Sequence, residues 1–405
     1  MSATGATLSG SYSGASASPT AVGFKYGTVS GSLNQTVSAS DNNGSLSATL
    51  SGLTAGTTYY YKAYVTVYGT GDYASQSQTF EGSEYSFTTA SSQSLPAHLT
   101  YYGMPDVSGI YNGLRTSDTN TDRDDHWYSY NTGNSKRQIA VHTYTHPSSS
   151  EETVNYVVLY DGSKYAPVWT AHTMNSTLYP NNTVGRNDSW ASDPAISLTQ
   201  QTGLDNANGV GYSRGHLVAS EYRQTTVKQN KQTFYYSNQA PQWQEGFNSS
   251  ATGYSGDGIW QQLENRVVAK TPSGTGKMLY VVTGVLYEGT TSTLPSGSLN
   301  VPIPSHFYKC IMECTFTGST ITSAQGIAFV YTNESHAGES YYADTYVTSI
   351  NAIETRAGFD FFAGVPTSVQ NTAEANANHT WFTGQPSSGS SNAISPVTPN
   401  YWGTL

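Results

Sequence analysis

Gly211-Tyr-Ser-Arg-Gly-His216 sets a hydroxyl, a guanidinium and an imidazole within four consecutive residues. An imidazole takes a proton readily near neutral pH, and a guanidinium presents a planar fork of donors to an anion. Two chemistries compete for this stretch. As G-x-S-x-G it is a nucleophile elbow, with Ser213 attacking an ester or peptide and Asp257 or Asp344 plus His306 or His336 completing a triad. An elbow needs a buried strand before it and a helix after it, yet Gly203–Val210 (GLDNANGV) is polar and rich in Gly and Asn, which reads as a loop. As Arg214-Gly-His216, the same residues offer a base and a phosphate-binding cation.

Other candidates lack what their chemistry requires. Ser273-Gly-Thr-Gly-Lys277 is loop-like, but Thr271 stands where a phosphate loop has its first glycine and Met278 where it has Ser or Thr. His142 and His146 lie four apart in HTYTH, too far along a strand to chelate, and no Glu follows the first as a zincin helix needs. Cys310 and Cys314 sit in His306–Thr317, whose alternation reads as a strand. Four residues there span about 13 Å, so the pair cannot form a disulfide and reads as buried free thiols.

Four motifs stand in order: Arg214-Gly-His216, Tyr235-Tyr-Ser-Asn-Gln-Ala-Pro-Gln242, Phe247-Asn248, and Trp260-Gln-Gln-Leu-Glu264. Upstream lie Tyr165-Ala-Pro-Val-Trp169 and Arg186-Asn-Asp-Ser-Trp-Ala-Ser-Asp-Pro194. Over about residues 150–360 this series resembles the DNA/RNA non-specific endonucleases of the ββα-metal (His-Me finger) superfamily. The resemblance implies an α+β domain that hydrolyses phosphodiester bonds of DNA and RNA without sequence specificity. It implies His216 as general base, and a divalent cation, Mg²⁺ or else Mn²⁺ or another, on Asn248. Glu264 then holds the cation's waters, Arg214 and Arg186 surround the scissile phosphate, and Asn238 orders the base and its neighbours. The chemistry is coherent: phosphodiester hydrolysis needs a base for water, a cation for phosphate charge, and donors for the transition state. Taken singly, each residue also has an ordinary structural use, the histidine at a strand end, the asparagine in a turn, the glutamate on a helix face.

Two departures from the family pattern have consequences. The usual Asp-Arg-Gly-His carries Ser213 at its first position, which is expected to remove a carboxylate near the metal. Ser249–Ile259, rich in Gly and Ser, separates the metal asparagine from the W-x-x-L-E segment. Sixteen helical steps of about 100° would set Asn248 and Glu264 on nearly opposite faces, so a loop must interrupt any helix here, or another residue holds the metal. A serine esterase or peptidase using Ser213, or a degenerate nuclease fold that only binds, remain the alternatives.

These residues need a scaffold, and the composition says which kind. The chain has 405 residues, only 11% of them charged, with 39 Gly and 32 Tyr, the make-up of turn-rich β structure in two domains. Residues 1–90 carry short alternating segments, Thr7–Tyr12, Val22–Gly27, Leu46–Leu50, Thr58–Val67 and Tyr85–Thr88. Leu53–Val65 followed by Tyr85–Thr89 resembles the last two strands of a fibronectin type III-like (immunoglobulin-like) β-sandwich. A linker is expected over 91–100 and the nuclease-like domain over 101–405; all nine His and every Arg lie from about residue 97 onward. There Asn155–Tyr160 and Lys277–Tyr287 read as buried strands. Ile259, Leu263, Val267 and Val268 recur at helical spacing, with Asp257 as N-cap. Gln385–Leu405 reads as a surface tail. No apolar run approaches the ~20 residues of a membrane span. The accessory module and low Lys content lead us to expect a secreted, periplasmic or cell-surface bacterial protein whose signal peptide has been removed. The net charge of −10 argues against extended backbone tracking, so weak binding through a small positive cleft is expected.

Overall fold

The computed structural model describes residues 5–14, 18–54, 56–68, 76–89, 96–118, 126–180, 183–197, 201–205, 207–296 and 299–385. The expected linker residues 91–95 and nearly all of the expected tail, from 386 on, lie outside the described residues. The chain forms two compact units, residues 1–94 with 108–110, and 95–107 with 111–405.

The first unit is all β. Strands β1 (Ala6–Ser11), β2 (Ala21–Gly27), β3 (Gln35–Ser38), β4 (Ser40–Asn42), β5 (Ser45–Leu50), β6 (Thr58–Tyr68), β7 (Ser77–Glu81) and β8 (Tyr85–Thr88) form two sheets. One has the order β1-β5-β4; the other runs β3-β2-β6-β7, with β8 also on β6. Leu8, Phe24, Leu46, Leu50, Tyr59 and Val65 fill a common core. The five segments expected from alternation are strands here; β3, β4 and β7 escaped that reading because their side chains are almost all exposed, which leaves no apolar face to alternate.

The second unit is built on a nine-stranded antiparallel sheet. Its strands are β9 (Tyr111–Ser117), β10 (His126–Thr132), β11 (Arg137–Thr145), β12 (Glu152–Asp161) and β13 (Ala166–Met174), then, past a ribbon of β14 (Tyr212–His216) and β15 (Gln239–Trp243), β16 (Lys277–Leu286). A second ribbon, β17 (Thr293–Ser296) and β18 (Leu299–Pro302), precedes β19 (His306–Thr317), β20 (Thr320–Thr332) and β21 (Val347–Thr348). The sheet order is β21-β20-β19-β16-β13-β12-β11-β10-β9. Central strands are buried on both faces, which explains their near-continuous apolar runs: Tyr156–Tyr160 in β12 and Val281–Val282 in β16 have no exposure. Both cysteines are free and buried in β19, as expected.

Helices α1 (Val227–Gln232), α2 (Ile259–Lys270), α3 (Ile350–Ala357), α4 (Thr367–Glu374) and α5 (Thr380–Thr383) complete the unit. Strand alternation in β19 divides them. Phe307 and Lys309 face α2, where the Trp260 ring lies 5.6 Å from Phe307, while Tyr308 stacks on Phe361 near α3. Gly284 in β16 leaves room for the Tyr308 ring, which a Cβ there would meet at 2.2 Å.

Candidate active site

The ribbon β14–β15 precedes helix α2 in the chain, and strand alternation in β14 determines which of its side chains face out. Arg214 and His216 share one side; Ser213 and Gly215 turn inward and are buried. A Cβ on Gly215 would meet the Gln242 side chain at 2.4 Å, so only glycine lets the two strands close beside His216. Ser213 Oγ donates to the Gln242 carbonyl at 3.1 Å, across the ribbon and away from His216. The nucleophile elbow therefore does not form: Ser213 lies within a strand, on the opposite face from the histidine. A carboxylate at 213 would also point inward, so the serine there takes no charge from the cleft, contrary to the expectation from sequence.

A cleft of roughly 270 Å³ is lined by Arg186, Arg214, His216, Asn248 and Glu264, five of the six expected site residues, together with Glu221 and Gln261. Asn238 is fully buried beneath it. Its Oδ1 accepts from the Val218 N–H at 2.9 Å and its Nδ2 donates to the carbonyls of Val218 and Thr233, so it clamps the chain just past the histidine. The His216 ring is held edge-on to Phe234 at 5.0 Å and tilted against Trp190 at 4.8 Å. Burial and the neighbouring Arg186 push its pKa down to about 3 against a smaller opposing pull from Asp188, which leaves the imidazole neutral. His216 Nε2 is buried with no hydrogen-bond partner, and so is Glu264 Oε1.

Asn248 and Glu264 come together because the Gly/Ser-rich insertion loops out between them. Residues 249–258 are not helical, and α2 starts at Ile259. The Ile259 and Trp260 N–H groups donate to the carbonyls of Gly246 and Phe247 at 3.1 and 3.0 Å, which staples the helix start to the asparagine turn. Gly258 presses on that turn, and a Cβ there would meet the carbonyl oxygens of Phe247 and Ser249 at 2.4 and 2.5 Å. This corrects the expected N-cap. Gly258 occupies that position, and Asp257 instead accepts from Asn265 Nδ2 at 2.7 Å through its carboxylate.

Charge in the cleft is less positive than expected. Arg186 pairs bidentately with Asp188, Arg214 lies 3.1 Å from Asp205, and Glu221 and Glu264 face the same space. Without a cation the carboxylates outnumber the guanidiniums. Burial raises Glu264 to about 7, while the Lys309 amine opposes that rise. Lys309 is itself fully buried, with Nζ donating to Thr283 Oγ1 at 3.0 Å and standing 4.6 Å over the Trp260 ring. Sequence reasoning missed Glu221, Lys309 and the aromatic wall of Trp190 and Phe234. A lysine inside the apolar run HFYKCIM was the one available signal. His142 and His146 bind no common centre: His142 Nε2 lies 2.9 Å from Asp193, and His146 Nε2 is 3.2 Å from the Thr177 carbonyl.

The model of the DNA/RNA non-specific endonuclease family matches residues 117–368. The chain belongs to that family. Among individual relatives of this endonuclease-family chain, Nuclease C1 of Cunninghamella echinulata var. echinulata is 30% identical over 170 residues, covering 40% of this chain and 64% of its own length. The mitochondrial nuclease EXOG of Homo sapiens is 28% identical over 188 residues, 44% of this chain and 48% of its own. The chain thus spans between about half and two thirds of the length of these curated relatives. A solved EndoG/EndoGI complex aligns with 68% of this chain and 96% of that one at 22% identity and a TM-score of 0.45.

Proposed function

We propose that the protein is a metal-dependent endonuclease that hydrolyses phosphodiester bonds of DNA and RNA without sequence specificity. The observation that carries this reading is one cleft lined by Asn248, two arginines, and a histidine and a glutamate that each hold a buried polar atom, His216 Nε2 and Glu264 Oε1, without a partner. Buried polar atoms without partners are costly, and their convergence marks a place for water, cation and phosphate. These oxygens suit a hard divalent cation such as Mg²⁺, with Asn248 as ligand and Glu264 holding its waters. When bound, such a cation would neutralise phosphate charge and assist departure of the leaving oxygen. His216 takes the proton from the attacking water; burial keeps it neutral and its aromatic walls hold its orientation. Arg186 and Arg214 donate to the phosphate oxygens, and Asn238 keeps the base in place.

Digestion of plasmid DNA and of RNA tests the reading. Cleavage with Mg²⁺, lost in EDTA and in His216→Ala, is expected; cleavage that survives both would overturn it, and metal binding without turnover would favour a fold that only binds. The two facing sheets of the first unit, with β6 and β8 paired, support reading residues 1–90 as a fibronectin type III-like accessory module. Such a module and the low Lys content support a secreted, periplasmic or cell-surface location, which fractionation of the producing cells would test.

A further inference from the structure

We infer that Glu221 is a second carboxylate of the cation site, balanced from below by the buried Lys309; this rests on the metal-dependent reading above. Glu221 belongs to a short turn five residues past the base. Its neighbours Ser220 and Tyr222 are buried at 4% and 0% exposure, so the glutamate between them is turned toward the cleft that it lines with His216, Asn248 and Glu264. The turn is rigid. Tyr222 and Arg223 N–H groups donate to the carbonyls of Ala219 and Ser220, and Asn230 Nδ2 donates to the carbonyls of Ser220 and Arg223 at 2.9 and 3.0 Å. Arg223, fully buried, anchors the end of the turn to the sheet through the carbonyls of Asn155 and Thr173.

Among the described residues the Glu221 carboxylate makes no hydrogen bond or ion pair, although the residue is only partly exposed to solvent. A structural carboxylate so placed would have a donor. Burial raises both glutamates, and the Lys309 amine is the charge they share, since it opposes that rise in each while they in turn support the buried amine's charge. Two carboxylates that share one buried amine, in a cleft also lined by Asn248 and by an imidazole whose Nε2 has no partner, make a seat for a hydrated divalent cation, whose charge would hold both ionised. Without that cation the same pair repels a phosphate. Glu221 thereby makes nucleic-acid binding, and not only cleavage, depend on metal.

Calorimetric titration of the full-length protein with Mn²⁺, and binding of a short DNA duplex to His216→Ala in EDTA, test this. The wild-type chain should bind Mn²⁺, Glu221→Gln and Glu221→Ala should weaken it about ten-fold, in the range seen when carboxylates around a metal's ligands are removed, and Glu221→Asp should restore part of it. In EDTA, His216→Ala/Glu221→Gln should bind duplex several-fold more tightly than His216→Ala alone. Unchanged Mn²⁺ affinity in Glu221→Gln beside a loss in Glu264→Gln would overturn the assignment while leaving the metal-dependent reading intact. Absence of Mn²⁺ binding by the wild-type chain would remove both.

Discussion

A neutral histidine beside an arginine is the residue on which the proposed chemistry turns. Because burial and Arg186 set the folded pKa of His216 near 3, below the ordinary 6.5, the unfolded chain binds the extra proton in between. The stability this group contributes is therefore present above about pH 6.5 and is lost as pH falls toward 3. An NMR titration of the imidazole should show a midpoint well below 6.5, and Arg186→Ala should raise it, since a cation is removed. The same substitution should lower kcat/KM by roughly a hundred-fold, the scale of losing one donor aimed at developing charge; an unchanged value would remove Arg186 from the site. His216→Ala should cost about 10²–10⁴-fold in kcat, the range for a general base.

Two elements carry predictions of their own. The loop that separates Asn248 from α2 works because glycine closes it. Gly258→Ala forces a methyl group into backbone oxygens and should destabilise the protein by about 1–3 kcal/mol in urea unfolding while weakening Mn²⁺ binding, because the asparagine turn must move. On the opposite side of the sheet, Glu354, Asp360 and Glu374 gather their carboxylates within 4.8 Å of one another around α3 and α4. Burial raises Glu354 to about 7, and burial with Glu354 beside it raises Glu374 to about 8. Groups whose folded pKa is raised stabilise the protein below the ordinary carboxylate range and lose that contribution as pH climbs through 7 to 8. Glu374→Gln should flatten the fall in Tm between pH 5 and pH 9; a slope equal to wild type would show that these groups do not share protons.

For the molecule as a whole, an acidic chain that meets phosphate as proposed, through two arginines and a cation, should bind weakly. The slope of log affinity against log salt should be about −2 for two charge contacts on B-DNA, far from that of a protein that tracks the backbone. A much steeper slope would mean that a cationic surface elsewhere takes part. Much of this was legible along the chain. The order of the Arg-Gly-His, Asn-Gln-Ala-Pro, Phe-Asn and W-x-x-L-E motifs pointed to one family and to five residues that share the cleft. Near-continuous apolar runs marked β12 and β16, whose central residues are buried on both faces, and alternation marked β19. Other properties depended on through-space packing, which carries no local signal. The periodicity of β14 became decisive only once its inward face was seen to bury Ser213 and its outward face to present His216. The insertion read as an obstacle until the carbonyls of Gly246 and Phe247 were seen to cap α2 and bring Glu264 back to Asn248. Glu221 and Lys309 are 88 positions apart, on a turn and on a sheet strand. Local sequence sets the conformations of single segments, whereas the electrostatics of a cleft come from whichever segments the fold stacks around it.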